Sequence, residues 1–330
     1  MAIVAMISGE WNNLSELTAY TGQASPQTTK KRTGNYSIRL DGGSFAFMQK
    51  TIPALSEVYL QYGWLTTNNW TGATFGLRSG STWLVSISRN ASGYLEIRSG
   101  SGGTLLATGI TPITTDRWYL VELHFKLADS GGIAELRLDG NLECTFNGDT
   151  KPGNETTFDN LYWISWASGP QCFYDDVVVN DVSGSVNNSY PGGMKLALLK
   201  PTSDGPTKEW TPSSGSDHYA LIDEVPPSGT DYLRATESDL IDLFGLEDLP
   251  AEAQSVKAVT LDFHGFKGST VAPSRIAQIA RVGEVDYAQA DQDLPLAEGL
   301  VRKILDQNPA GGNWTVAAVN ALISGVKSRP

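Results

Sequence analysis

Trp118-Tyr-Leu-Val-Glu-Leu-His-Phe125, then Ile133-Ala-Glu-Leu-Arg-Leu138 and Leu142-Glu-Cys-Thr-Phe146, is the stretch that decides the fold class. Tyr119, Val121, Leu123 and Phe125 alternate with Trp118, Leu120, Glu122 and His124, the period-two pattern of a strand with one face on a core. Asp139-Gly140-Asn141 separates the two later runs. An Asp-Gly pair between alternating segments is a hairpin signal, because the tight turn needs positive φ at its central residues.

Outward from this hairpin the alternation continues. Upstream lie Tyr36–Leu40, Glu57–Tyr62, Trp83–Ser88 and, after a Ser92-Gly93 turn, Tyr94–Arg98; downstream lies Cys172–Val179. No helical period intervenes, so residues 1–182 are expected to form a β-sandwich or jelly roll. Composition agrees: 34 glycines and only 18% charged residues suit short strands joined by tight turns. A length of 330 residues fits two domains, each able to bury its own core.

The boundary is compositional. Ser183-Gly-Ser-Val-Asn-Asn-Ser-Tyr-Pro-Gly-Gly193 reads as a linker, followed by a candidate strand Met194–Leu199 and a turn-rich stretch to Asp217. Residues 183–217 are therefore assigned to linker and connecting strand, and 218–330 to a second β-sandwich. Its expected strands are His218–Ile222, Leu240–Leu246, Val256–Phe266, Arg275–Arg281, Glu284–Ala288 and Leu300–Leu305. The period then changes: Val316, Val319, Leu322 and Ile323 share a helical face, with Thr315 as N-cap, a Trp314–Val319 staple and Gly325 at C′. One helix, Val316–Ser324, is expected in an otherwise all-β chain.

The net charge of −12 is spread evenly: residues 1–182 carry 12 basic and 17 acidic side chains, and 183–330 carry 12 and 19. With no basic stripe, nucleic acid is not an expected partner. The opening Met1–Trp11 lacks the basic start of a secretory signal, and no run reaches the roughly 18 apolar residues of a membrane span. Synthesis in a cytoplasm is expected. Cys144 alternates with Leu142 and Phe146 and reads as a small buried hydrophobe; whether it pairs with Cys172 is left open by the sequence.

Trp118 heading a long strand, the Glu135–Gly140 hairpin and the closing Tyr174-Asp-Asp-Val-Val-Val179 together resemble the laminin-G-like, concanavalin A-like jelly roll. The order continues with the Gly/Ser/Asn linker, Trp210-Thr-Pro-Ser, His218–Pro227, the Asp231-Tyr-Leu233 strand start and the Trp314-Thr closing helix. Over nearly the whole chain this order resembles a family of virion structural proteins of tailed bacteriophages. The resemblance implies a non-enzymatic protein of the virion surface, either a capsid decoration or a tail-associated protein. It would act by assembling with its own copies, with a trimer suited to decoration, and with capsid or tail proteins. The alternative is an adhesin that recognises a host surface glycan through the first domain.

Catalytic patterns are not found. Hydrolysis of β-glucans needs two carboxylates facing each other, about 5–5.5 Å apart in retaining enzymes. Glu135 and Asp139 are four residues apart with Asp139 in a turn, and Asp291 and Asp293 lie in a Pro-terminated segment. There is no G-x-S-x-G, H-E-x-x-H, P-loop or dinucleotide fingerprint, and His124, His218 and His264 are scattered. Two candidate sites remain. Asp175 and Asp176 stand as ligands for a structural calcium ion, with Asp149, Asn154 and Asp159 as further oxygens; the competing reading is that one of the two hydrogen-bonds backbone amides of the N-terminal segment and pins the sandwich shut while the other faces solvent. Asn69 and Trp70, in a loop, are the candidates for contact with a glycan or a partner, against the ordinary fate of tryptophan in a core.

Overall fold

The computed structural model describes residues 2–166, 171–268 and 273–330. The protein is all-β apart from one short helix, and it divides into two compact units, Met1–Leu196 and Ala197–Pro330.

The first unit is a sandwich of two antiparallel sheets. The first sheet runs β13 (Asn141–Gly148), β12 (Gly132–Leu138), β11 (Tyr119–Lys126), β6 (Glu57–Thr66), β15 (Cys172–Asn180), β4 (Ser37–Leu40) and β3 (Ala24–Gln27), with β1 (Ile3–Ile7) also paired to β15. The second runs β10 (Leu105–Thr108), β9 (Leu95–Ser99), β8 (Thr82–Arg89), β7 (Gly72–Ser79), β14 (Phe158–Ser165), β5 (Ala46–Leu55) and β2 (Ala19–Tyr20). The turn that opened the sequence reading forms as expected. Asp139 and Gly140 take φ of 53° and 81°, and Leu138 pairs with Asn141 across them.

Both inner faces meet in one core. Leu60, Tyr62, Trp64, Val121, Leu123 and Phe125 of the first sheet pack with Phe75, Leu77, Ile87, Ile97, Leu161 and Trp163 of the second. Rings bridge the sheets at Tyr62–Trp163 (6.1 Å) and Phe125–Phe158 (6.0 Å). Burying aromatic and branched side chains stabilises by about 1.5–3 kcal/mol each, so these dozen residues contribute about 18–36 kcal/mol toward offsetting chain entropy.

Several sequence expectations are corrected. Leu142 and Cys144 do not share a face: a bulge pairs Leu136 with Cys144 but Arg137 with Leu142, leaving Leu142 exposed and Cys144 buried. Residues 183–196 are not a free linker. Asn180 Nδ2 donates to the Ser189 carbonyl, Tyr190 Oη to Glu135, and the Gly193 and Met194 amides to Gln61 Oε1, so this segment lies along the outer face of the first sheet. Met194–Leu199 is not a strand.

In the second unit, Pro201–Lys208, within the stretch read as turn-rich, is a strand that pairs with Ile241–Leu246. The sheet continues through Ile323–Arg329, Arg275–Val282 and Val285–Ala288. Val259–Gly265 and Gly299–Leu305 form a separate hairpin pair. Gln278 ties that pair to the sheet, donating through Nε2 to the Leu261 and Val301 carbonyls. His218–Ile222 is a single 3₁₀ turn, Tyr219–Leu221, rather than a strand. The helix starts as expected: the Thr315 side chain caps it by accepting from Ala318 N–H, and Trp314 and Val319 share a core cluster. It ends at Asn320, because Ile323–Arg329 is claimed by strands on both sides. Gly325 therefore has a different reason: a Cβ there would overlap the Asp242 carbonyl oxygen of the neighbouring strand.

Candidate functional site

The outward face of the second sheet is built from small residues at its middle. Register aligns Arg98, Ser86, Gly76 and Tyr162 in one row across β9, β8, β7 and β14, and Glu96, Ser88 and Ala73 in the next. Gly76 is required here, since a Cβ would collide with the Trp83 ring laid over it. Gly76 and Ser86 are themselves covered and buried, so the open part of this face lies along the second row, at Ala73, Ser88 and Glu96, and three segments wall it: the loop Asn69–Thr71, the turn Ser101–Gly102, and Trp166 beyond β14.

The result is an open cleft of about 890 Å³ whose lining includes Asn69, Trp70, Ala73, Ser88, Arg89, Asn90, Glu96, Arg98 and Trp166. Trp166 is 44% exposed and leans on Phe45, ring centres 5.4 Å apart. Trp70 is half-buried, with its ring over Gly72 and its indole N–H unpartnered. The polar floor is preorganised. Glu96 accepts from Asn90 Nδ2 (2.8 Å) and from Arg98 Nε (2.9 Å), and Arg98 also donates to the Gly103 carbonyl. Arg89 holds the loop from beneath, donating to the Trp70 carbonyl and Asn69 Oδ1, each at 3.0 Å. Burial pushes the Arg89 guanidinium below its ordinary pKa.

The structure thus brings Asn69 and Trp70 into one wall, together with residues that the sequence did not single out. Asn90, Glu96, Arg98 and Trp166 carry no local motif; strand register and loop ends gather them. Among the described residues, Glu96 is the single carboxylate in the lining, and the lining holds no histidine, lysine or tyrosine.

Asp175 and Asp176 lie elsewhere, in a bulge of β15, and both are buried. Asp175 Oδ2 accepts the Arg32 and Thr33 amides (2.8 and 3.2 Å), and Oδ1 accepts the Asp176 amide. Asp176 pairs with the Arg32 guanidinium at 2.5 Å and accepts from Thr33 Oγ1 and the Leu196 amide. All four oxygens are engaged by protein donors, and among the described residues no cluster of three His, Cys, Asp or Glu is arranged to hold a metal. Asp149 and Asp159 are used locally, by the Lys151 and Gly80 amides. Burial, and next the Asp176 charge, hold the Asp175 carboxyl well above the usual carboxylate range. Asp175 takes loop amides, as the competing reading expected, but Asp176 is ion-paired inside rather than solvent-facing.

The remaining candidates are structural. Glu135 binds Arg137 and Tyr190, and Asp139 accepts the Leu120 amide and Arg117. Asp291 pairs with Arg329. His218 Nδ1 sits 2.5 Å from Asp242, whose other oxygen accepts the Glu209 and Trp210 amides, so the pair fastens the 3₁₀ turn to the sheet. Cys144 and Cys172 are separate free thiols. Among the described residues no helix is long and apolar enough to cross a membrane.

No family model and no curated protein matches the chain. Among solved structures, the alginate lyase Aly36B is similar at 12% identity and a TM-score of 0.41, covering 56% of this chain and 99% of its own. The cellulose induced protein Cip1 is similar at 15% identity and 0.39, covering 49% of this chain and 86% of its own. A protein from Bacillus subtilis with a galectin-like fold is similar at 14% and 0.38, covering 55% and 98%. Likenesses this faint carry no argument about function.

Proposed function

We propose that the first unit is a saccharide-binding module and that the Trp70–Trp166 cleft is its site. The observation that carries this reading is one juxtaposition: two tryptophans line an open trough whose floor presents fixed amide, carboxylate and guanidinium groups. Sugar rings offer apolar C–H faces and a rim of hydroxyls. Aromatic faces take the first, and preordered donors and acceptors take the second without further ordering cost. Binding without turnover fits the lining, because among the described residues Glu96 has no second carboxylate across the cleft and its own oxygens are held by Asn90 and Arg98.

Assembly on a phage particle rests on the order of sequence motifs alone. The cleft supports the carbohydrate reading over it, and a glycan-binding surface is compatible with a host-facing virion protein. The test is a glycan microarray probed with the full chain, followed by titration of any hit. Trp166→Ala is expected to weaken binding by about tenfold, near 1.4 kcal/mol, with little change in melting temperature because Trp166 is nearly half exposed and lies outside the core cluster. Equal binding by Trp166→Ala and wild type would remove the cleft from consideration.

A further inference from the structure

We propose that the saccharide taken by this cleft is anionic, a polysaccharide bearing carboxylate or sulfate groups along its length. This rests on the carbohydrate reading of the same site. The argument begins with Arg89, which lines the cleft and is only 5% exposed. Its donors reach neutral acceptors, the Trp70 and Ile113 carbonyls and Asn69 Oδ1; its Nε has no partner, and no carboxylate pairs with it among the described residues. Buried charges are ordinarily paired. Here a guanidinium lies unneutralised beneath an open cleft in a chain of net charge −12.

The second cation of the lining, Arg98, is matched by Glu96 at 2.8 Å, so the charged residues of the cleft, Arg89, Arg98 and Glu96, sum to +1. A third arginine extends the pattern. Arg78 shares the sheet's outward face, its guanidinium 4.4 Å from the Tyr162 ring centre and 5.9 Å from that of Trp83, with Nε unpartnered. Arg78 lies outside the cleft lining, beyond the Trp83 ring that covers Gly76, while Arg89, next to outward Ser88, is turned beneath the cleft. The cleft thus has one unneutralised cation under it and a further cation on the same sheet face, and the guanidinium fork matches carboxylate and sulfate oxygens alike.

The test is calorimetric titration of the full chain with oligogalacturonate, a dextran sulfate oligomer and a neutral cello-oligosaccharide of matched length. The anionic ligands are expected to bind at least about tenfold more tightly than the neutral one at low salt. The uronate and sulfate arms tell which acid is preferred. Glu96→Gln, which raises the cleft charge and frees Arg98, is expected to tighten anionic ligands by about three- to tenfold, an advantage lost in high salt. Arg78→Gln, away from the Glu96 network, is expected to weaken them by about threefold and leave neutral affinity unchanged. Neutral ligands binding as well as anionic ones would overturn the proposal and leave the carbohydrate reading standing. Binding of no glycan by protein with an unaltered melting temperature would overturn both.

Discussion

Replacing Asp176 tests the packing logic of the first unit most sharply. The side chain is fully buried, with φ of 50° in the β15 bulge. It neutralises Arg32, whose side chain is 17% exposed, and it satisfies Thr33 Oγ1 and the Leu196 amide. Removing one partner of a buried ion pair costs about 3–5 kcal/mol, and the partial exposure of Arg32 puts this case near the lower end. Each orphaned donor adds about 1 kcal/mol or more. Positive φ adds a further ~1 kcal/mol for alanine that asparagine and glycine largely escape. The expected order of destabilisation is therefore Asp176→Asn, then Asp176→Gly, then Asp176→Ala, the last at about 6 kcal/mol, a large part of an ordinary domain's stability. Equilibrium urea unfolding followed by tryptophan fluorescence measures it. An alanine variant within about 0.5 kcal/mol of wild type would refute the reasoning, and so would a glycine variant weaker than alanine, which would show that the backbone at 176 is not strained.

The same site makes two further predictions. Calcium and EDTA are expected to leave the melting temperature unchanged, because no carboxylate oxygen of Asp175 or Asp176 is available; a calcium-dependent rise in melting temperature would restore the metal reading. Burial holds both Asp175 and Glu10 above the ordinary carboxylate range. The fold then binds these protons more tightly than the unfolded chain does, so their contribution is greatest in acid and falls as pH rises through the folded values. Urea midpoints at pH 5 and pH 8 decide this, with the lower midpoint expected at pH 8.

Much of the first sheet was legible because its strands bury one face. Tyr119 to Phe125 alternates cleanly, and Asp139-Gly140 announces its own turn. Phe158–Ser165 escaped because nearly all of its residues are buried, so no alternation marks it. Gly72–Ser79 escaped because its glycines, Gly72 at the cleft and Gly76 under the Trp83 ring, read as turn formers. The helix was placed correctly at its cap and drawn too long, since Leu322 and Ile323 continue the helical period while strand pairing claims the chain from Ile323 onward. His218–Ile222 alternates like a strand, but His218 is held by Asp242, twenty-four residues away, a contact no local pattern encodes. Asn69 and Trp70 were visible as an amide beside an aromatic ring in a loop. Glu96, Arg98 and Trp166 were not, because their meeting depends on register between strands far apart in sequence.

Topology also explains why, within the first unit, a ligand site falls on the second sheet. A sandwich has two outward faces. On the first sheet that face is occupied by the chain's own segment 189–196. Tyr190 packs edge-on against Tyr59 and lies under the Arg137 guanidinium at 4.1 Å, and Gln61 receives the Gly193 and Met194 amides. Gln61, Glu122 and His124, outward by alternation, are consequently buried. The second sheet has small residues at Gly76, Ser86 and Ser88; the Trp83 ring covers Gly76 toward the end remote from Trp70, and the cleft opens beside Ala73 and Ser88. Covering one face and thinning the other leaves a trough bordered by aromatic residues and floored by arginines. The segment that composition marks as a linker thus closes one face, and the cleft forms on the other.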